Sequence, residues 1–361
     1  MTSNFKKFSQ NFLLLAGSVI ATVILAEVAL RVFDLAPTAG IATVTEEDFR
    51  RIPGFLTPNQ EVLDRSIPAL PYRVRTNYLG YRGEDFPLTK PAGEYRVLMI
   101  GDSFTFGSYV DDDQTLPAQL EAALAPLCGN VRVINGGVVG TTIVTHGKMA
   151  KRALALDPDL VVLTFFENDL DDLASPPWFT FAENRRRKSQ MPLSLVYPVL
   201  RHTALWNFAQ EVRARLSIRA AADRQSQTDP SEIAAKRSKL RQAYREELVA
   251  LRDDLLREGI PMILAAFPSH EAFTSSDRRE PLQWAIRSAS DAGIDTVNLL
   301  SGLLGSELPA EKLYLVPHDG HASPRGNAVS AEFLAAHLLG MESITEECER
   351  PSTANLFQEV K

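Results

Sequence analysis

Cysteine is scarce: Cys128 and Cys348 are the only two in 361 residues. Two thiols so far apart exclude a zinc cluster and a disulfide scaffold, and leave either two inert thiols or one bridge. Excess positive charge is missing as well, since 38 Lys and Arg face 45 Asp and Glu for a net charge of -7. The one dense basic cluster, Arg185-Arg186-Arg187-Lys188, is short and isolated. Binding a phosphate backbone requires clustered cations, so nucleic acid is not an expected partner. No set of metal ligands is visible, and neither a metal nor a cofactor is expected. At 45% apolar and 23% charged residues the chain as a whole is neither disordered nor a multi-span membrane protein. Its length suits one large α/β domain with additions, or two domains.

Only one stretch breaks this ordinary balance. Phe12 to Phe33 is almost uninterruptedly apolar, and it is about the 20 residues needed to cross a bilayer. Lys6 and Lys7 precede it and should stay cytoplasmic, which sends everything after Asp34 to the far side of the membrane. Glu27 and Arg31 lie four apart near the outer end, where they can pair on one helical face. A cleaved signal peptide is the rival reading, but its apolar core is usually only about 7–15 residues. The expected organisation is a cytoplasmic N-terminus at 1–11, a transmembrane anchor at 12–33, a stalk or strapping arm at 34–93, the main domain at 94–342, and a polar tail at 343–361. Inside the main domain, about 171–231 breaks the regular order with Pro176-Pro177-Trp178, the basic cluster and apolar Leu193 to Val199. It reads as an inserted helical lid or platform that covers the crevice and selects the acceptor.

The main domain opens on Tyr95-Arg96-Val97-Leu98-Met99-Ile100, a buried-strand pattern that stops at Gly101-Asp102-Ser103 with Gly107 just beyond. Val131 to Asn135 is a second strand, leading into Gly136-Gly137-Val138-Val139-Gly140, and Leu160 to Phe166 is a third, ending in Glu167-Asn168-Asp169. Helical patterns separate them, at Leu116 to Leu127 and Ile143 to Leu156. Ile260 to Pro268 and Ile294 to Leu299 continue the strand series, and Ala328 to Leu339 is the closing helix. Repeated strand, polar turn and helix units predict an α/β fold in three layers around a central parallel sheet. All the polar turns then fall at one sheet edge, where open α/β sheets bind their ligands.

Ser103 sits at that edge, where a hydroxyl projects from the end of a strand beside the N–H groups of the next helix. The same three residues also suit an ordinary turn with Ser103 as N-cap. A serine becomes a nucleophile only with a base in reach and a group that orients the base. His321, in the loop Pro317-His318-Asp319-Gly320-His321 before the closing helix, is the candidate base, and Asp319 the candidate orienter. His146, His202, His270 and His337 lack such a setting and read as surface or supporting residues, whereas His318 flanks the site.

With these residues in place the chain resembles the SGNH (GDSL-type) hydrolases. Those enzymes carry Gly-Asp-Ser near the domain start, a glycine after the second strand, a Gly-x-Asn-Asp turn after the third, and an Asp/His pair before the last helix. The resemblance spans about Glu94 to Leu339 and implies an SGNH/flavodoxin-like sandwich. It further implies Ser103 as nucleophile, His321 as base and Asp319 as its orienter. The implied oxyanion donors are the Ser103 N–H, Gly140 and Asn168. Two departures stand out: Asp319-Gly320-His321 is Asp-x-His where the family spacing is Asp-x-x-His, and Phe166-Glu167 precede Asn168 where a glycine is usual. The shorter spacing is similar to the branch related to bacterial alginate O-acetylation proteins. That likeness implies an acyl ester on an exported or cell-envelope polysaccharide as substrate, with a membrane acyltransferase as a partner. Hydrolysis and acyl transfer both stay open, as does a catalytically inert carbohydrate-binding or envelope-assembly module on the same fold.

Overall fold

A computed structural model describes residues 2–33, 35, 51–174, 191–200, 202–210, 212, 213, 216, 229–341 and 344. Much of the expected insertion and nearly all of the expected polar tail lie outside the described residues. The chain divides into two compact units.

The larger unit holds residues 41–63, 72–183 and 230–361. Two short strands, β1 (Glu61–Asp64) and β2 (Tyr72–Arg75), pair with each other. Five more form the central sheet: β3 (Tyr95–Ile100), β4 (Val131–Asn135), β5 (Leu160–Phe165), β6 (Met262–Ala266) and β7 (Asp295–Asn298). Their spatial order is β4-β3-β5-β6-β7 and every neighbouring pair is parallel.

Alternation along the strands builds the layers. Leu98 and Ile100 of β3 share one apolar cluster with Val161, Leu163 and Phe165 of β5, packed under the helices Ile143–Ala153, Pro230–Arg257 and Ser276–Asp291. Val97 and Met99 point the other way, with Leu160 and Val162, into a second cluster under the helices Leu116–Cys128 and Pro324–Leu338. Both faces are covered, so β3, β5 and β6 are buried at every position rather than at every second one. This is the three-layer α/β sandwich that the strand and helix periodicities predict.

Strand order decides where a site can form. The chain runs from β3 outward to β4, then returns past β3 to β5. Connections leaving β3 and β5 therefore diverge to opposite faces and open a crevice at the carboxyl ends of these two strands. Ser103 follows β3 and Asn168 follows β5.

Within the larger unit, residues on either side of 64–71 pack against the site region. Phe55, Leu56, Tyr72 and Val74 form a third apolar cluster with Phe106, Val138 and Met149, which belong to the regions after β3 and β4. Arg82 binds its own segment to the site loop. Its buried guanidinium donates to Asp112 Oδ1 (2.8 Å) and to the carbonyls of Phe106 (2.8 Å), Gly107 (2.6 Å) and Val110 (2.7 Å). A buried cation is tolerated only when paired and fully hydrogen-bonded, and this one meets both conditions.

The smaller unit holds residues 1–40, 64–71 and 184–229. Its main element is the helix Thr2–Val32, in which Asn11–Val32 is long and apolar enough to span a bilayer and is unburied. The helix Leu193–Leu200 and a helical run at 204–210 belong to the same unit.

Candidate active site

The turn after β3 is organised by Asp102, not by Ser103. Asp102 Oδ1 accepts the N–H of Phe104 (2.9 Å) and so caps the short helix Ser103–Phe106, which ends at Gly107 with φ 83°. With the cap supplied by its neighbour, Ser103 is spared that duty. Its hydroxyl lies 2.8 Å from His321 Nε2. Ser103 itself is only 8% exposed.

His321 is brought there by the loop before the last helix. Tyr314 and Ala322 bridge in antiparallel fashion, and Leu315 N–H donates to the His321 carbonyl (2.9 Å). Ser323 then caps the helix Pro324–Leu338 through the Gly326 N–H (3.1 Å), while its own hydroxyl donates to the Lys312 carbonyl (2.6 Å). Gly326 is required here, since a Cβ would fall 2.0 Å from the Leu313 carbonyl oxygen.

Asp319 reaches His321 across one intervening residue because the chain turns at Gly320. Its Oδ1 accepts the His321 backbone N–H (2.8 Å) and also contacts ring Nδ1. A carboxylate facing Nδ1 requires the proton there, leaving the Nε2 lone pair to accept the Ser103 hydroxyl. Burial alone would raise the Asp319 carboxyl, but the hydrogen bond and charge of His321, with the backbone N–H groups of His321 and Gly320, hold it below the ordinary value. His318 is exposed, and its backbone N–H donates to the Leu315 carbonyl.

Aromatic rings hold the imidazole plane. Phe104 stacks on His321 with centroids 4.6 Å apart, Phe166 stacks on Phe104 at 3.9 Å, and Tyr109 meets the imidazole edge-on at 5.4 Å. Thus Phe166, one of the two departures from the family pattern, is part of the packing behind the base. The other, Glu167, is half-buried and lies 3.8 Å from Arg278 Nη1. Burial raises its carboxyl, with Arg278 and Ser269 acting against the shift.

On the opposite side, Asn168 begins the helix Asn168–Ala174, and its Nδ2 donates to Asp172 Oδ2 (3.0 Å) one turn later. Three carboxyl groups crowd this flank. Burial raises Asp102, with the Phe104 N–H, His321, Asn168 and Ser103 offsetting part of the effect. Burial and the neighbouring Asp102 raise Asp169 well above the carboxylate range. Burial and the charges of Asp102 and Asp171 push Asp172 up to about 6.

The Gly140 loop is tied to the same turn, for Val138 N–H donates to the Gly101 carbonyl (3.1 Å). Gly140 has φ 74°. Gly137 sits so close to the Ser103 helix that a Cβ would lie 2.1 Å from Phe106 N. Behind the loop, the Thr141 hydroxyl donates to the Val138 carbonyl (2.7 Å) and meets His146 Nε2 at 3.0 Å. Burial without a compensating charge drives His146 down to about 3, so it is neutral, and the Thr141 geometry places its proton on Nε2. His146 is therefore an internal brace rather than a surface residue.

Ser103, His321 and Asp319 thus form one hydrogen-bonded chain, with the Gly140 loop and Asn168 on the flanking loops. A family model of GDSL-like lipases and acylhydrolases matches residues 99–329. The chain belongs to this family. Its members are SGNH-type ester hydrolases, and this chain is one of them by that match. Among solved structures, the chain is similar to a G-D-S-L family protein from Desulfitobacterium hafniense DCB-2, at 15% identity and TM-score 0.41, covering 67% of this chain and 99% of that one. It is also similar to the acetylxylan esterase Axe2 from Geobacillus stearothermophilus, at 17% identity and TM-score 0.39, covering 69% and 95%. No curated protein matches the chain.

Arg82, Asp172 and the aromatic stack were not legible in the sequence, whereas His146, expected as a surface or supporting residue, is a buried supporting one. Arg82 and Asp172 act through partners distant in sequence or one helical turn away. Only the glycine-flanked aromatics around Tyr81-Arg82-Gly83 hinted that this segment packs on the domain.

Proposed function

We propose that this SGNH-type hydrolase is a membrane-anchored, extracytoplasmic serine esterase or O-acetyltransferase acting on an acyl ester, of the kind carried by exported or cell-envelope polysaccharides. The observation that carries the reading is the 2.8 Å contact between Ser103 Oγ and His321 Nε2, with Asp319 at the opposite ring nitrogen. Ser103 Oγ attacks the ester carbonyl while its proton passes to His321 Nε2. Asp319, held ionised, stabilises the imidazolium so formed. The developing oxyanion is met by the N–H groups of Ser103 and Gly140 and the Asn168 amide. Collapse breaks the ester C–O bond, and His321 returns the proton to the leaving alcohol. The acyl-serine then goes to water, giving hydrolysis, or to a sugar hydroxyl delivered with a membrane acyltransferase, giving transfer.

The anchor rests on the apolar helix Asn11–Val32 behind Lys6 and Lys7, whose charge favours the cytoplasmic side. Cys128 is disulfide-bonded, which fits an oxidising compartment outside the cytoplasm. The domain plan follows: anchor at 12–33, arm at 34–93, hydrolase domain at 94–342 with its insertion at about 171–231, and tail at 343–361.

A fluorophosphonate probe tests the central claim. Covalent labelling of the folded wild type that disappears in Ser103→Ala is expected. Folded protein that resists the probe would favour the inert module. An extracytoplasmic reporter fused after Lys361 should be active, and activity of a cytoplasmic reporter there instead would overturn the topology.

A further inference from the structure

The helix Leu193–Leu200 carries no charged residue, yet three of its apolar side chains are exposed. Leu195 is 68% exposed, Val196 49% and Val199 69%, with Met191 just before them at 71%. A soluble surface does not keep such a run uncovered on one short helix. The residues that follow are fastened to the long N-terminal helix. Glu27 Oε1 accepts the N–H of Ala204 (2.9 Å) and Glu27 Oε2 that of Leu205 (2.9 Å), so one carboxylate caps the helical run 204–210. Arg31 pairs with Glu27 at 2.7 Å and donates to the His202 carbonyl at 2.7 Å. The two charges inside the apolar segment are therefore both committed to the backbone of the insertion.

We propose that residues 191–200 and 202–210 form an interfacial platform, with Leu195, Val196 and Val199 inserted into the outer boundary of the bilayer. The proposal rests on the reading of the N-terminal helix as an anchor. Depth supports it. Glu27 lies five residues before the end of the span at Val32, or about 7–8 Å at 1.5 Å per residue. Interfacial helices bury their apolar faces about 5–10 Å into the headgroup and acyl boundary. The clamp thus holds the insertion at the level where exposed Leu and Val side chains meet lipid. Trp206 and Tyr197 suit the same level, where aromatic residues with a polar tip are enriched. Lipid is favoured over a protein partner because the exposed face belongs to the same compact unit as an anchor helix that is itself uncovered. The platform would dock the insertion flat on the membrane surface and confine its motion to that plane.

Nitroxide labels on the full chain in phosphatidylethanolamine/phosphatidylglycerol nanodiscs test this. Leu195→Cys and Val199→Cys are compared with Leu14→Cys in the anchor and Arg237→Cys at an exposed position of the helix Pro230–Arg257, with the unsubstituted chain setting the labelling background. The ratio of oxygen to nickel-chelate accessibility at 195 and 199 should lie several-fold above that at 237 and below that at 14. Aqueous values at 195 and 199 with a lipid-exposed label at 14 would overturn the platform alone. An aqueous label at 14 would overturn the anchor and the platform together. Exclusion of both reagents from 195 and 199 would mean that protein covers the face, and would also overturn the proposal. Glu27→Ala should move the labels at 195 and 199 toward aqueous values and leave the label at 14 unchanged. No movement would remove the clamp from the account.

Discussion

Asp319, in the loop before the last helix, and Asp172, in the helix Asn168–Ala174 after β5, are shifted in opposite directions. Asp319 touches a ring nitrogen and two backbone N–H groups, which hold it ionised despite its partial burial. Asp172 faces Asp102 and Asp171 with only the Asn168 amide in support, and it rises to about 6. On the His321 side the fold provides a fixed negative charge that can stabilise an imidazolium. On the Asn168 side it packs acids together, so the charge there varies with pH while the amide stays bonded. The lesson is that a carboxyl group's role follows its partners rather than its distance from the nucleophile.

The strongest way to break the comparison is to remove the chain of proton transfer itself. Ser103→Ala and His321→Ala should each abolish most turnover of a small acetyl ester, with the double variant little worse, because groups that act as a unit are strongly non-additive. Additive losses in steady-state kinetics would show that the two do not act together. Asp319→Asn should follow, with a loss on the order of 10³–10⁴ in turnover, since an amide favours the wrong imidazole tautomer. Asn168→Ala should lose about 10²–10³, the usual effect of one missing oxyanion donor. An effect confined to KM would instead make Asn168 a ground-state contact.

Smaller effects sharpen the contrast. A raised native pKa stabilises the fold only while the carboxyl stays protonated, so the Asp172 contribution is present below about 4 and lost as pH rises to about 6. Relative to wild type, Asp172→Asn should gain stability as pH rises through that window, then level off, in urea denaturation at several pH values. Asp319 has the reverse sign. Its depressed native pKa contributes stability above the ordinary carboxyl range, and this is lost as pH falls through the lower native value. Parallel pH slopes for Asp172→Asn and Asp319→Asn would contradict the opposite shifts. His318→Ala, the smallest change, should leave turnover near wild type because that side chain is exposed and takes no part in the hydrogen-bonded chain from Ser103 to Asp319.

Strand and helix periodicity alone determined the parallel α/β layers, because strands buried on both faces lose the alternation of a half-exposed strand, and β3, β5 and β6 stand out as near-continuous apolar runs. The polar turns were legible for the same reason: each interrupts an apolar run at the end where the chain must leave the sheet. The apolar segment ending at Phe33 was equally plain from its length. Local pattern could not show which residue caps the Ser103 helix. Asp102 and Ser103 are both good caps, and only the backbone path selects Asp102. Nor could it show that Asp319 reaches His321 across one residue, since that depends on the turn at Gly320. Arg82 collecting carbonyls from 106 to 110 and Glu27 capping residues 204 and 205 are contacts between segments far apart in sequence. Tertiary structure alone decided these, because a side chain's partners are set by which backbone groups the fold leaves unpaired beside it, and a linear pattern carries no record of that.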